Sequence, residues 1–111
     1  MRERDIEKYL VQQAKALQGE VRKVKWIQRS GAPDRLLMMP EKCRIVWNSA
    51  GPVRTYEEVR PAATVWVELK ATGKKPEPHQ LREHVRMRRM GQRVEVIDSL
   101  EGVDNLMGEF R

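Results

Sequence analysis

The stretch "VWVELK" at residues 65–70 restricts the fold more than any other part of the chain. Val65, Trp66 and Val67 are the β-branched and aromatic types that fill a sheet interior, yet the run closes on Glu68 and Lys70. Side chains two apart on a strand share a face, so Glu68 and Lys70 point the same way while Leu69 turns into the core. Charged groups at the end of an apolar strand are costly to bury unless something compensates them. The strand therefore asks for a partner: another charge, a metal or a bound ligand.

The surrounding sequence supplies a framework. Ile6, Leu10, Ala14 and Leu17 recur at helical spacing and describe an amphipathic helix ending near Gly19. Glu3 and Glu7 fall beside its apolar stripe, where either can look along the core edge toward a strand. "EVRKVKWIQRS" carries Val21, Val24, Trp26 and Ile27 and predicts a strand closed by the turn "SGAPD". "RLLMM" follows Asp34 as a second strand stopped at Pro40, and "CRIVWN" is a third. "SAGPVRTYEEVRPAA" reads as a loop or irregular excursion with room for a short extra hairpin.

After "TVWVELKA", the turn "TGKKPEPHQ" leads into the helix "HQLREHVRMRRMG", which Gly91 ends. "RVEVID" alternates into a last strand. Ser99 then caps a short C-terminal helix, without a capping box because Gly102 stands where an acid or amide would complete it. This order predicts an α/β fold, a mixed central β-sheet flanked by helices. Trp26, Trp47 and Trp66 are expected in the core or on a sheet face, with base stacking open to one of them.

In the second helix Leu81, His84, Met87 and Met90 climb in threes with Val85 to one side. Such a broad apolar surface suits one face packed on the sheet and another meeting a partner chain. His84 reads as a packed histidine at the core edge, and His79 as a solvated residue near the helix start.

The length, 111 residues, suits a single domain over residues 1–111. A net charge of +6 favours a polyanionic partner, of which nucleic acid is the commonest. Lys74 and Lys75, with Arg82, Arg86, Arg88, Arg89 and Arg93, are candidate phosphate contacts. No base-reading motif accompanies them. The lone Cys43 excludes a disulfide framework and reads as a structural thiol on a strand in a reducing compartment. "MRERDIEKYL" is too polar for a signal peptide and no apolar run is long enough to cross a bilayer, so a soluble, cytoplasmic protein is expected.

Asp34, in a turn between two strands, can be delivered beside Glu68 and Lys70. Two carboxylates, a backbone carbonyl such as that of Leu69, and water make a reasonable magnesium site. A cation there polarises a phosphate and acidifies a bound water. Lys70 can position or help deprotonate that water, or neutralise a phosphate oxygen.

Taken in order, "GAPDRLLMMP", "VWVELKATGKKP" and "HQLREHVRMRRMGQRVEVID" resemble the PD-(D/E)XK nuclease superfamily, and within it the stand-alone VRR-NUC (virus-type replication-repair nuclease) branch, over nearly the whole chain. The resemblance implies a restriction-endonuclease-like core with Asp34 and Glu68 as metal ligands and Lys70 as the catalytic lysine. It also implies Gln80 as a supporting residue and an acid from the first helix, for which Glu7 is preferred to Glu3. Residues 41–63 depart from compact members as an insertion. The implied activity is that of a Mg2+- or Mn2+-dependent, structure-selective endonuclease hydrolysing phosphodiester bonds in branched DNA. It is like that of a Holliday-junction resolvase of DNA repair in a phage setting, acting as a homodimer. The alternatives are a branched-DNA-binding module that keeps the nuclease fold without turnover, or a structural subunit of a larger complex.

Overall fold

The computed structural model describes residues 1–47, 51 and 54–111. Residues 48–50 and 52–53, which include Asn48 of the third expected strand and part of the expected excursion, lie outside them. Nine elements follow in order: α1 (Glu3–Ala16), β1 (Glu20–Lys23), β2 (Arg35–Met39), β3 (Lys42–Trp47), β4 (Arg54–Arg60), β5 (Ala63–Leu69), α2 (Pro78–Arg89), β6 (Val94–Ile97) and α3 (Leu100–Gly108).

Four strands form one mixed sheet in the order β1-β2-β5-β6. β1, β2 and β5 are antiparallel neighbours. β6 runs parallel to β5, so a crossover is required, and α2 provides it. β5 thus lies inside the sheet, as its apolar run demands. Alternation along β5 sends Val65, Val67 and Leu69 to one face, where they join Leu37, Met39 and Ile97 under α1 and α3 in the main core. Trp66 and Glu68 face the opposite way, toward α2.

α1 buries Ile6, Leu10 and Ala14 completely, each large side chain contributing about 1.5–3 kcal/mol by leaving water. Glu3 and Asp5 in its first turn and Lys15 in its last complement the helix dipole. Gln18, not Gly19, takes the left-handed conformation that ends it, with φ of 65°. Gly19 serves another purpose: a Cβ there would come within 2.9 Å of the Met38 carbonyl oxygen and overlap the Met39 sulfur. The helix is thereby seated directly on β2.

The expected excursion contributes one strand, β4, which pairs antiparallel with the third expected strand, β3, and the two form their own two-stranded sheet. Of the two expected places for Trp47, core or sheet face, it takes the second: it ends β3 66% exposed, with the Arg54 guanidinium 5.3 Å from its ring. Cys43 sits on a strand as expected, but exposed rather than packed. The predicted first strand is also too long. Val24 still bonds to the Asp34 carbonyl at 2.9 Å, but Trp26 and Ile27 lie beyond β1 because β2 offers them no partner. Ser99 caps α3 as expected, its Oγ accepting from the Gly102 N–H at 2.9 Å. Among the described residues no helix is long and apolar enough to cross a membrane.

Candidate active site

The carboxylates are gathered by strand register. Arg35 pairs with Val67 and Leu36 with Trp66; one step further along the same antiparallel ladder sets Asp34 opposite Glu68, on the face that Trp66 shares. Glu68 is 7% exposed. Burial pushes its carboxyl up to about 7; the positive charge of Lys70 opposes the rise, while the negative charges of Asp34 and Glu3 add to it and Arg35 counters. Asp34, Lys70 and Glu3 therefore all lie within the electrostatic reach of Glu68.

The turn before Asp34 is fixed by what it touches. Gly31 has φ of 87°, and a Cβ on it would meet the His79 carbonyl oxygen at 2.8 Å. Only glycine combines that backbone with that approach, so the turn docks on the first turn of α2. Pro78 occupies the first helical position. Gln80, two residues on, accepts at its Oε1 from the Glu77 N–H at 2.7 Å and from Lys70 Nζ at 2.9 Å. The expected supporting glutamine thus caps the helix and holds the lysine with one oxygen. His79 is exposed, as expected for a helix start.

His84 lies one turn beyond Gln80, with no exposed surface. Its Nε2 is 3.3 Å from Glu68 Oε1. Burial, aided by the positive charges of Arg88 and Lys70, lowers the ring below the usual histidine value, so it is neutral near pH 7. Nε2 and the Glu68 carboxyl share one hydrogen bond, and Nδ1 is left buried without a partner. The expected packed histidine also holds a site carboxylate.

The two α1 acids are placed differently. Both oxygens of Glu7 are taken by Arg35, at 2.8 and 3.0 Å, which holds the Glu7 carboxyl below the usual carboxylate range. Arg35 also reaches Asp34 Oδ1 at 2.9 Å. Glu7 therefore braces Asp34 through the guanidinium, and Glu3 is the helix acid whose charge reaches Glu68. The physical reason is the alternation of β2, which turns Arg35 to the α1 face with Leu37 and Met39 and brings its fork to Glu7.

Leu69 projects its side chain into the core, as expected. Lys74 and Lys75 are exposed in the turn after β5. Arg82, Arg86 and Arg89 do not flank the carboxylates: they line a shallow surface groove with Leu81 and Val85 on the outer face of α2, whose inner face carries Glu83, His84 and Met87. Arg35 and the ion pair between Arg29 Nε and the buried Glu83 at 2.9 Å were not expected from the sequence. Strand alternation from Leu37 would have pointed to Arg35.

Among the described residues no group of three or more His, Cys, Asp or Glu side chains is poised to hold a metal ion. The donors present are two carboxylates, Glu68 on β5 and Asp34 just before β2, whose mutual repulsion a hard cation relieves. That donor set fits magnesium, which completes its shell with carbonyl oxygen and water.

No family model matches the chain. It is 35% identical over 99 residues to "Putative nuclease p44" of Acyrthosiphon pisum secondary endosymbiont phage 1, covering 89% of this chain and 85% of that protein. A solved structure described as a "VRR_NUC domain" superposes with a TM-score of 0.69 at 35% identity, covering 98% of this chain and 97% of the other. With the facing Asp34 and Glu68, the adjacent Lys70 and the mixed sheet that carries them, this likeness shows that the chain belongs to the VRR-NUC family of the PD-(D/E)XK nuclease superfamily.

Proposed function

We propose that the protein is a Mg2+- or Mn2+-dependent endonuclease that hydrolyses phosphodiester bonds in branched DNA, in the manner of a Holliday-junction resolvase. The observation that carries the reading is Glu68: a buried carboxyl with its proton affinity raised to about 7, faced by Asp34 and flanked by Lys70. A site that concentrates negative charge out of water calls for a cation.

Asp34, Glu68 and the Leu69 carbonyl would hold the ion, with Glu3 the nearest further acid. When bound, a divalent cation supplies polarisation of the scissile phosphate and a more acidic bound water. The chain's own groups do the rest. Gln80 keeps the Lys70 amine at a fixed place beside Glu68, where it orients the attacking water or neutralises a phosphate oxygen. The water oxygen bonds to phosphorus, one ester P–O bond breaks, and the leaving oxygen takes a proton. Arg35 and His84 hold Asp34 and Glu68 from behind, which reduces the reorganisation needed during the reaction.

DNA is the partner that the net charge of +6 suits. A homodimer presenting paired sites to two strands accords with the exposed Leu81 and Val85 on α2, which a second copy would cover. A monomeric mass by light scattering at working concentration would remove the dimer from the reading.

The decisive assay compares a four-way junction with a linear duplex in magnesium or manganese, with and without chelator. Wild type should cut the junction only with metal, and Lys70→Ala and Asp34→Ala should not. Cleavage that survives both substitutions overturns the site.

A further inference from the structure

A groove opens beside Asp34 that the proposed chemistry does not use. Its walls are Lys23, Val24, Lys25, Trp26, Arg29 and Asp34. All six come from the end of β1 and the segment that joins it to β2, and that segment is pinned at two points. Val24 N–H donates to the Asp34 carbonyl at 2.9 Å. Arg29 Nε reaches the buried Glu83 carboxylate of α2 at 2.9 Å.

Trp26 is held more firmly than a surface residue needs to be. Its indole N–H donates to the Pro33 carbonyl at 2.8 Å, and its ring centroid lies 5.1 Å from that of Trp66 at a tilt of 45°. Trp26 nevertheless remains 36% exposed, and Lys23 and Lys25 are exposed beside it. A fixed, open aromatic among cations has the chemistry that binds unpaired nucleic acid: the cations track phosphates and a base lies on the ring.

Resting on the nuclease reading above, we propose that this groove takes an unpaired nucleotide next to the scissile phosphate, its base against Trp26 and its flanking phosphates on Lys23 and Lys25. Asp34 belongs to both the groove and the candidate metal site, so a strand held at one enters the other. A fully paired duplex has its bases stacked on each other and offers none to a side wall. The groove therefore distinguishes a branch point or flap from continuous duplex without reading any base edge.

The test is binding in chelator, so that cleavage does not intervene. The probes are a duplex ending in a short flap with 2-aminopurine as the first unpaired base and a fully paired duplex of equal length. Wild type should bind the flap more tightly and quench its fluorescence. Trp26→Ala should weaken flap binding about tenfold and abolish the quench, while changing duplex binding less than about twofold. Trp26→Phe should restore both. Replacing Lys23 and Lys25 by Gln should weaken both DNAs and flatten the salt dependence by roughly one unit of slope per lysine.

Equal flap binding and quenching by a folded Trp26→Ala, or equal losses on both DNAs, would overturn the groove. Should Trp26→Ala unfold, the wild-type quench decides: its presence on the flap and its loss in the double lysine variant sustain the proposal, and its absence overturns it. Junction cleavage by a wild type with no flap preference removes the groove alone. A wild type that binds and cuts no DNA removes the nuclease reading with it.

Discussion

Lys70 Nζ and the Glu77 N–H converge on a single acceptor, Gln80 Oε1, at 2.9 and 2.7 Å. The start of α2 and the lysine at the end of β5 are thus set by one side chain. Gln80→Ala should lower stability by about 1 kcal/mol through the lost cap and reduce the cleavage rate by roughly tenfold with little change in KM. Gln80→Glu, which keeps the acceptor, should recover much of both. Thermal melting and steady-state kinetics on a junction check the pair.

His84 separates support of a ligand from packing. His84→Leu keeps the volume and removes the orphaned Nδ1, so stability should change by less than about 1.5 kcal/mol. It also removes the hydrogen-bond partner of Glu68, so manganese affinity should fall about tenfold. Calorimetric titration of the metal beside chemical denaturation reads both. Unchanged metal affinity would remove His84 from any role beyond the core.

Glu68 should make the metal-free protein sensitive to pH. Its folded value of about 7 lies above the ordinary 4.5. Between those values the native state holds more protons than the unfolded chain. Stability therefore falls as pH rises from 4.5 through 7, and the full penalty, up to about 3 kcal/mol, is present above it. In chelator, Glu68→Gln should melt higher than wild type at pH 8 and converge with it near pH 4. Magnesium should raise the melting temperature of wild type at pH 8 and leave the variant unmoved.

Arg35, 7% exposed, makes paired bonds to Glu7 and a third contact to Asp34. Arg35→Ala strands a half-buried Glu7 and should cost about 3 kcal/mol or more. Arg35→Lys should rescue it poorly, because a point charge cannot replace the planar fork. The Glu7 contribution runs the other way with pH. Its folded value is depressed, so the stabilisation is present above the ordinary value of 4.5 and is lost as pH falls through the folded value. Urea denaturation across pH measures both effects.

The sequence made β5 legible because its β-branched run, its polar exit and the alternation of Glu68, Leu69 and Lys70 all point to the same arrangement. The same holds for α1, where four apolar positions share one stripe. β1 was drawn too long because Trp26 and Ile27 have strand propensity, and propensity does not reveal that the partner strand has ended. The ion pair between Glu7 and Arg35 was not legible from periodicity, since Glu3 and Glu7 both lie beside the stripe and the reach of Arg35 selects Glu7. Arg82, Arg86 and Arg89 are four and three residues apart, one helical face, and Gln80 and His84 share another. Their distance from the site was therefore available in the spacing, although the charge count drew attention to the cluster as a whole.

Met39 and Ala63 are paired partners across β2 and β5, and β3 and β4 leave and re-enter the main sheet at that one rung, with Arg60 at the root of the arm packed on the Phe110 ring. The β3–β4 arm is therefore topologically detachable. Joining its two roots with a tight connection changes no strand order, threads nothing through the sheet, and leaves the Asp34 and Glu68 ends of the same two strands at the far end of the ladder. Length and composition can vary freely at this port while the hydrolytic end of the ladder keeps its alignment.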